Sequence, residues 1–448
     1  MRSCRSSTRP SCTHRPPWTG HLAEADDTAA PQKPSVGSFL RGLGPGLVTG
    51  AADDDPSGIG TYSQVGAQFG YGLSWTLLLS FPLMAVIQIV AAEIGRVSGT
   101  GIARNLRKHY PRPLLFAVVI LLLVANIVNL GADLSAMGAA TVLIWGGDAG
   151  FYTLLFGILC IVLEIRLSYA RYAAVLKWAT LSLFAYVAVV LVAEVPWPEA
   201  LESLIVPQIS WTPAYATALV AILGTTISPY LFFWQAGQEV EEAQRRHAKP
   251  LYVTPRIAGP EIKRIQVDTL TGMGFSNLVA LAIVFATAAT LHVHGVTEIA
   301  TSAQAAEALR PVAGDFAFAL FALGIIGTGM LAVPILAASA AYAVTEALGA
   351  RGSLDAKLLD ARLFYGTIAV TTLAGAAMHT VGIDPVKALY WAAVVNGVLA
   401  APTMAVMMLI ARNPRAMGRL TLGRGATILG WAATLAMAIA SVIFFVTL

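Results

Sequence analysis

Three consecutive aspartates, Asp53, Asp54 and Asp55, stand directly before Pro56 in an otherwise apolar stretch, GPGLVTGAADDDPSGIGTYSQVGAQFG. A carboxylate at the centre of a membrane helix costs roughly 2.5–3.5 kcal/mol on insertion scales. Three together therefore call for a cation or a wet cavity. Successive helical residues point about 100° apart, so the three side chains cannot converge on one point. Asp55, next to the proline, is the expected direct ligand of a cation. Asp54 is a further candidate, and Asp53 and Asp54 are otherwise expected to hold hydrating water or to line an entry path. A second stretch, ALVAILGTTISPYLFFWQAG, carries Ser228 and Pro229 in mid-run. Proline removes a backbone donor and clashes with the preceding turn, and freed backbone at membrane depth is tolerated only inside protein or beside water. Two such breaks, five helices apart, match carriers built from inverted repeats, whose discontinuous helices form the substrate site.

The elements that must position these residues are membrane helices. Of 448 residues, 56% are hydrophobic and 12% charged, about half the charge of a soluble domain. The mean hydropathy is +0.69. That composition argues against a cytosolic enzyme, a nucleic-acid binder and a disordered scaffold. Cys4, Cys12 and Cys160 form neither a disulfide framework nor a CxxC metal motif. Spans of roughly 20 apolar residues are expected near 42–65, 70–94, 114–142, 151–163, 173–192, 214–236, 269–291, 316–348, 363–378, 388–410 and 426–448, so that about eleven helices cross the membrane. Twenty-seven of the 29 Lys and Arg residues then fall in the N-terminal arm and in the loops after spans 2, 4, 6, 8 and 10. Only Arg310 and Lys387 fall on the other side. Basic residues collect on the cytoplasmic side, which places the N-terminus inside a multi-pass protein of the inner (plasma) membrane. Residues 1–38 lack the apolar core of a secretory signal and are expected to be a disordered cytoplasmic arm, with 39–448 a single transport domain.

The residues around these breaks resemble the Nramp family of divalent-metal transporters. GPGL, the D-P-x-G that follows, and QVGAQFGYGLSW are similar to that family's first helix and its exit. QIVAAEIGRVSGTGIA resembles its second helix, and RLSYARYAAVLKW its link between helices 4 and 5. The resemblance implies an all-α LeuT-type fold, with helices 1–5 and 6–10 as inverted repeats. It is strongest over the first hundred membrane residues and thin after helix 7.

The resemblance also implies a ligand set. The family's helix 1 motif is D-P-G-N, whose Asp and Asn bind the metal; here Asp55-Pro56-Ser57-Gly58 keeps the Asp and replaces the amide by Gly58. The family's Met-Pro-His of helix 6 reads Ser228-Pro229-Tyr230, a hydroxyl in place of sulfur. Two main-chain carbonyls of the family site fall on Ala52 and Thr225. Thioether favours softer metals, whereas carboxylate, carbonyl, hydroxyl and water suit Mg²⁺, Ca²⁺ and Mn²⁺. An all-oxygen site, widened by Gly58 and Ser228, is expected to suit a partly hydrated Mg²⁺, as in the Nramp-related magnesium transporters, with Mn²⁺ also possible. The alternative is a proton-coupled Mn²⁺ or transition-metal importer of the Nramp type. Tyr230 and Gln235 stand where the family carries histidines, Asp133 is offset by one from the family's first helix 3 acid, and Ser135 replaces its second. Tyrosine and glutamine do not titrate near neutrality as histidine does, so weak or absent proton coupling is expected.

Other membrane-depth polar groups have plainer expectations. Glu93 and Arg96 are expected to pair at i,i+3, and Glu164 and Arg166 to form a structural pair. Asn126, Asn129 and Asp133 form a stripe that either lines the route or bonds helices together, and Asn396 faces the same choice. Glu239, Glu241 and Glu242, followed by Arg245 and Arg246, read as a solvated face at the inner mouth. His292, His294 and His379 have no ligand spacing. An amino-acid carrier of the same fold would hold its carboxylate at these breaks, where Asp55 would repel it. An intramembrane enzyme would need a catalytic set, and neither HExxH nor GxSxG is present. No cofactor, nucleic acid or obligate protein partner is expected beyond the transported cation and the bilayer.

Overall fold

The computed structural model describes residues 44–166 and 182–447, and Leu43–Leu448 forms one compact unit. The expected arm of residues 1–38, the first part of the fifth span and the RLSYARYAAVLKW segment beyond Arg166 lie outside the described residues. Among the described residues the chain is helical and contains no strand.

Each expected break is real, and each has a local cause. The first span consists of α1 (Pro45–Asp53) and α2 (Pro56–Phe69). Asp55 is the N-cap of α2, its Oδ1 accepting from Gly58 N at 2.7 Å, and Pro56 occupies the first helical position. The missing proline N–H is one that a first turn leaves unpaired anyway, so the sequence that stops α1 also starts α2. Gly70, at φ +55°, ends it. The second break follows the same rule, between α9 (Pro213–Thr226) and α10 (Pro229–Arg245), with Ser228 at the N-cap and Pro229 at the first position.

Between these lie α3 (Trp75–Ser98), the short α4 (Ile102–His109), α5 (Arg112–Trp145), α6 (Ala149–Arg166), α7 (Phe184–Val192) and α8 (Trp197–Ile205). After α10 come α11 (Ala258–Thr287), α12 (Ser302–Glu307), α13 (Ala317–Leu348), α14 (Arg362–Ala377), α15 (Pro385–Ala411) and α16 (Arg424–Thr447). Among the described residues eight helical stretches are long and apolar enough to cross a membrane. Three expected spans fall outside that group. The first is split into helices of 9 and 14 residues, the fifth is described only over Phe184–Val192, and α14 has 16 residues.

The half-helices are clamped by glycine. A Cβ on Gly50 of α1 would lie 2.2 Å from the Gly272 backbone of α11, and one on Gly224 of α9 would lie 2.1 Å from Ala393 O and 2.4 Å from Gly397 N of α15. Small residues let membrane helices approach to backbone contact, and here they fix the first half of each broken helix against a long neighbour. The remaining halves, α2 and α10, meet α5 and α15 around the breaks.

Two expectations about charged pairs are corrected. Arg96 does not turn to Glu93: it reaches Glu261 of α11 at 3.1 Å and Lys249 O at 2.8 Å. Glu164 does not pair with Arg166; its carboxylate is buried on α6 with neither oxygen hydrogen-bonded among the described residues. The acidic run of α10 is not a solvated face either. Glu239 and Glu241 are 0% and 3% exposed. Glu239 binds Arg264 at 2.7 Å, and Glu241 accepts from Tyr342 OH at 2.7 Å and Leu354 N at 2.8 Å. Glu241 also keeps Arg245 at 3.2 Å, and Glu242 stays with Arg245 and Arg246. Long-range partners displaced neighbours in sequence because a buried charge needs a closely placed opposite charge or donor.

Candidate metal site

Asp55 lies at the junction of α1 and α2 and is 2% exposed. Its two oxygens have different tasks. Oδ1 caps α2, while Oδ2 accepts from Asn129 Nδ2 of α5 at 3.0 Å and faces Tyr230 OH of α10 at 3.2 Å. The Tyr230 hydroxyl also lies 3.1 Å from Ala52 O, so two of the expected ligands share access to one proton.

Asn129 of α5 ties the α1–α2 junction to α15. Its amide NH2 donates to Asp55 and, at 3.1 Å, to Asp133 Oδ2; its Oδ1 accepts from Asn396 Nδ2 of α15 at 2.9 Å. Asp133 Oδ1 in turn accepts from Ser57 N at 3.1 Å. The first turn of α2 thus offers amides to two carboxylates, and a helix N-terminus with its free N–H groups favours negative charge there. The stripe on α5 therefore divides: Asn129 and Asp133 belong to the site, whereas Asn126 bonds Leu336 O and Ser339 of α13.

Of the six expected ligand positions, all are buried, and the structure arranges them in three groups. Asp55 and Ala52 meet at Tyr230. Gly58 borders Thr225: a Cβ on Gly58 would lie 3.2 Å from Thr225 Oγ1, 3.3 Å from Asp53 O and 3.4 Å from Asp55 Oδ1. Ser228 turns its hydroxyl back onto Gly224 O and Thr225 O, at 3.1 and 2.9 Å. Asp54 points elsewhere and shares Ser276 of α11 with Asp53, the Ser276 hydroxyl lying 3.2 Å from Asp54 Oδ1 and 2.6 Å from Asp53 Oδ2. The side chains thus diverge, as the turn of a helix requires. Gly58 leaves little room at its own Cβ position, where Thr225 Oγ1 and the Asp53 carbonyl stand close.

In this arrangement protein hydrogens meet the oxygens a cation would take. Tyr230 covers Ala52 O, Ser228 covers Thr225 O, and two donors hold Asp55 Oδ2. Among the described residues no three His, Cys, Asp or Glu side chains form a ligand group. A cation here would rest on one or two carboxylates with carbonyl and hydroxyl oxygen, and the groups gathered at Asp55 contain no sulfur. Gln235 is also buried, its Oε1 accepting from Gln88 Nε2 at 3.3 Å and from Thr49.

Two contributors were not evident from the sequence. Ser276 is a lone hydroxyl in an apolar helix, with no local pattern to mark it. Asp268 accepts from Gly44 N, Leu47 N and Gly46 N at 2.9, 3.2 and 2.8 Å, and so caps α1 from more than 220 residues away. Of the three histidines, His292 and His294 serve the backbone, at Ala67 O and Thr290 O.

Comparison with known proteins gives the family and the fold. The Nramp profile, described as natural resistance-associated macrophage protein-like, matches residues 46–447. A divalent metal cation transporter MntH of Verminephrobacter eiseniae is 26% identical over 349 residues, covering 71% of this chain and 72% of that protein. The MntH of Deinococcus radiodurans is 24% identical over 417 residues, covering 90% and 88%. Among solved structures, the manganese transporter of Eremococcus coleocola superposes with a TM-score of 0.71 at 16% identity, over 94% of this chain and 90% of that one. Mhp1, a nucleobase-cation-symport-1 family transporter, gives 0.53 at 14% identity, over 90% and 92%. The fold is the LeuT type, with its two discontinuous helices meeting at Asp55. With the family profile spanning almost the entire chain, this protein belongs to the Nramp family.

Proposed function

We propose that this chain carries a divalent metal cation across the membrane, with Asp55 as the charged ligand and the carbonyls of Ala52 and Thr225 and the hydroxyl of Ser228 completing an oxygen set. The observation that carries this reading is a buried carboxylate at the meeting point of two broken helices, joined through Asn129 to a second carboxylate, Asp133. An anionic or neutral substrate has no use for that charge. Asp54, with Asp53 and Ser276, flanks the site on the α11 side.

Mn²⁺ is the first candidate cargo, supported by the names of the relatives and the solved manganese transporter, and by the ease with which Mn²⁺ accepts oxygen ligands. Mg²⁺ is the second reading, favoured by the hydroxyl of Ser228 in the position where the family resemblance implies a thioether. The close packing at the Cβ position of Gly58 weighs against a roomy, hydrated cage on that side. Uptake into proteoliposomes of Mn²⁺, Mg²⁺ and Cd²⁺, with isothermal titration of each, tests both. Mn²⁺ or Mg²⁺ uptake that is lost in Asp55→Ala supports the proposal; uptake that persists in Asp55→Ala overturns it.

The proposed orientation places the basic loops and the N-terminus in the cytoplasm and the cation moving inward. The membrane potential supplies about 2.3 kcal/mol per charge per 100 mV, which acts twice on a divalent ion. Tyr230 and Gln235 offer no group that titrates as histidine does, and both are held in hydrogen bonds. Transport is therefore proposed to proceed without strong proton coupling, and cation-dependent acidification of the liposome lumen would overturn that.

A further inference from the structure

Beyond its cap at Asp55, α2 presents Ser57, Gly60, Gln64 and Gln68 on one face, at the three- and four-residue spacing that keeps side chains on one side of a helix, with Ser63 beside them. Two cavities lie along it. The inner one is small, about 10 Å³, and is bordered by Gly60 and Ser63. That is room for a single water. The outer one, about 380 Å³, is bordered by Gln64, Gln68, Glu298 and Lys387 and opens at the end of the molecule that carries few basic residues. Ile299 and Val386 border both cavities. They are 2% and 6% exposed and form the apolar wall between them.

The wall is held by two attachments. The Gln64 side chain grips the segment before α12 by its backbone, accepting from Ile299 N at 2.9 Å and donating to Thr297 O at 3.2 Å. Beside it, Glu298 pairs with Lys387 of α15 at 3.3 Å. Lys387 is one of the two basic residues outside the basic loops, and it borders the outer cavity. Both partners of the pair are more than half exposed, 68% and 56%, and exposed pairs add little net stability. A divalent cation at Glu298 can therefore displace Lys387 at small cost.

We propose that this vestibule is the outer receiving site for the hydrated divalent cation: Glu298 accepts the ion in exchange for Lys387, and loss of that pair frees the Gln64-held segment so that Ile299 withdraws and opens the path along α2 to Asp55. The inference rests on the cation transport proposed above and adds the residues that admit the ion.

The test uses the full chain in intact cells, with Ser63→Cys as a reporter and a membrane-impermeant maleimide applied outside. In the native latch the reporter is protected. Gln64→Ala and Lys387→Ala are each expected to raise its labelling rate at least fivefold, and unchanged labelling in both overturns the latch. Exchanging the pair, Glu298→Lys with Lys387→Glu, is expected to restore slow labelling; labelling that stays fast shows that pairing is not what closes the wall. Glu298→Gln is expected to raise the KM for Mn²⁺ uptake three- to tenfold without lowering the maximal rate, and an unchanged KM overturns the receiving role. Labelling does not depend on the ion carried. A native chain that takes up no divalent cation therefore overturns the transport reading and the receiving role together, while the latch is decided by labelling alone.

Discussion

The hydroxyl of Tyr230 stands 3.2 Å from Oδ2 of Asp55 and 3.1 Å from the carbonyl oxygen of Ala52. A hydroxyl has one proton, so it satisfies one of these oxygens at a time, and a bound cation would have to displace it from both. In the proposed site Tyr230 is thus a competitor of the ion. Tyr230→Phe removes the competitor, and a hydrogen bond of this kind contributes about 1 kcal/mol. Cation affinity is expected to rise about fivefold by titration calorimetry. A fall in affinity would instead make the hydroxyl a ligand.

Asn129 is the one side chain that touches Asp55, Asp133 and Asn396 together. Asn129→Ala leaves two buried carboxylates without their shared donor and is expected to weaken cation binding at least tenfold, about 1.4 kcal/mol. Asn126→Ala, which loses bonds only to α13, is expected to lower thermal stability while leaving the dissociation constant within twofold. Equal losses of affinity in the two variants would remove the distinction drawn between them.

Ligand softness can be altered at one position. Ser228 has an extended backbone, φ −83° and ψ 123°, and its hydroxyl makes no cap bond to α10, so methionine fits there without backbone strain. Ser228→Met introduces a thioether beside Thr225 O and is expected to raise Cd²⁺ affinity about tenfold relative to Mg²⁺. Competition of Cd²⁺ against Mn²⁺ uptake measures it. An unchanged ratio would place Ser228 away from the ion.

Asp268 holds the start of α1 through three backbone amides. Substituting a capping residue by alanine costs about 1 kcal/mol, and Asp268→Ala loses three such bonds. Fraying of α1 is the expected result, with faster hydrogen exchange over 44–49 and a lower melting temperature. Exchange of Asp55 and its neighbours in α2 is expected to change little, because α2 carries its own cap.

Sequence legibility followed the range of the interactions. The breaks at Asp55-Pro56 and Ser228-Pro229 were legible because a proline and its capping residue act within one turn. The eleventh-hour start of α11 was not. The apolar run suggested a beginning near 269, whereas the helix starts at Ala258, and its first turns carry Glu261, Arg264 and Asp268. Those charges read as loop until Arg96, Glu239 and the amides of α1 are placed around them. The same rule explains Glu93 and Arg96, adjacent on one helix yet not paired.

Sequence alone determined that this chain spans a membrane, where its two helices break, and that Asp55 is the charge at the first break. Apolar content, proline and N-capping are properties of a segment and need no partner. Only the tertiary structure decided which groups face that charge. Asn129, Tyr230, Asp133 and Asn396 come from three other helices, and Asp54 turns away toward Ser276. Hydrogen bonds act over about 3 Å, and only the packing of distant helices brings such groups within that distance.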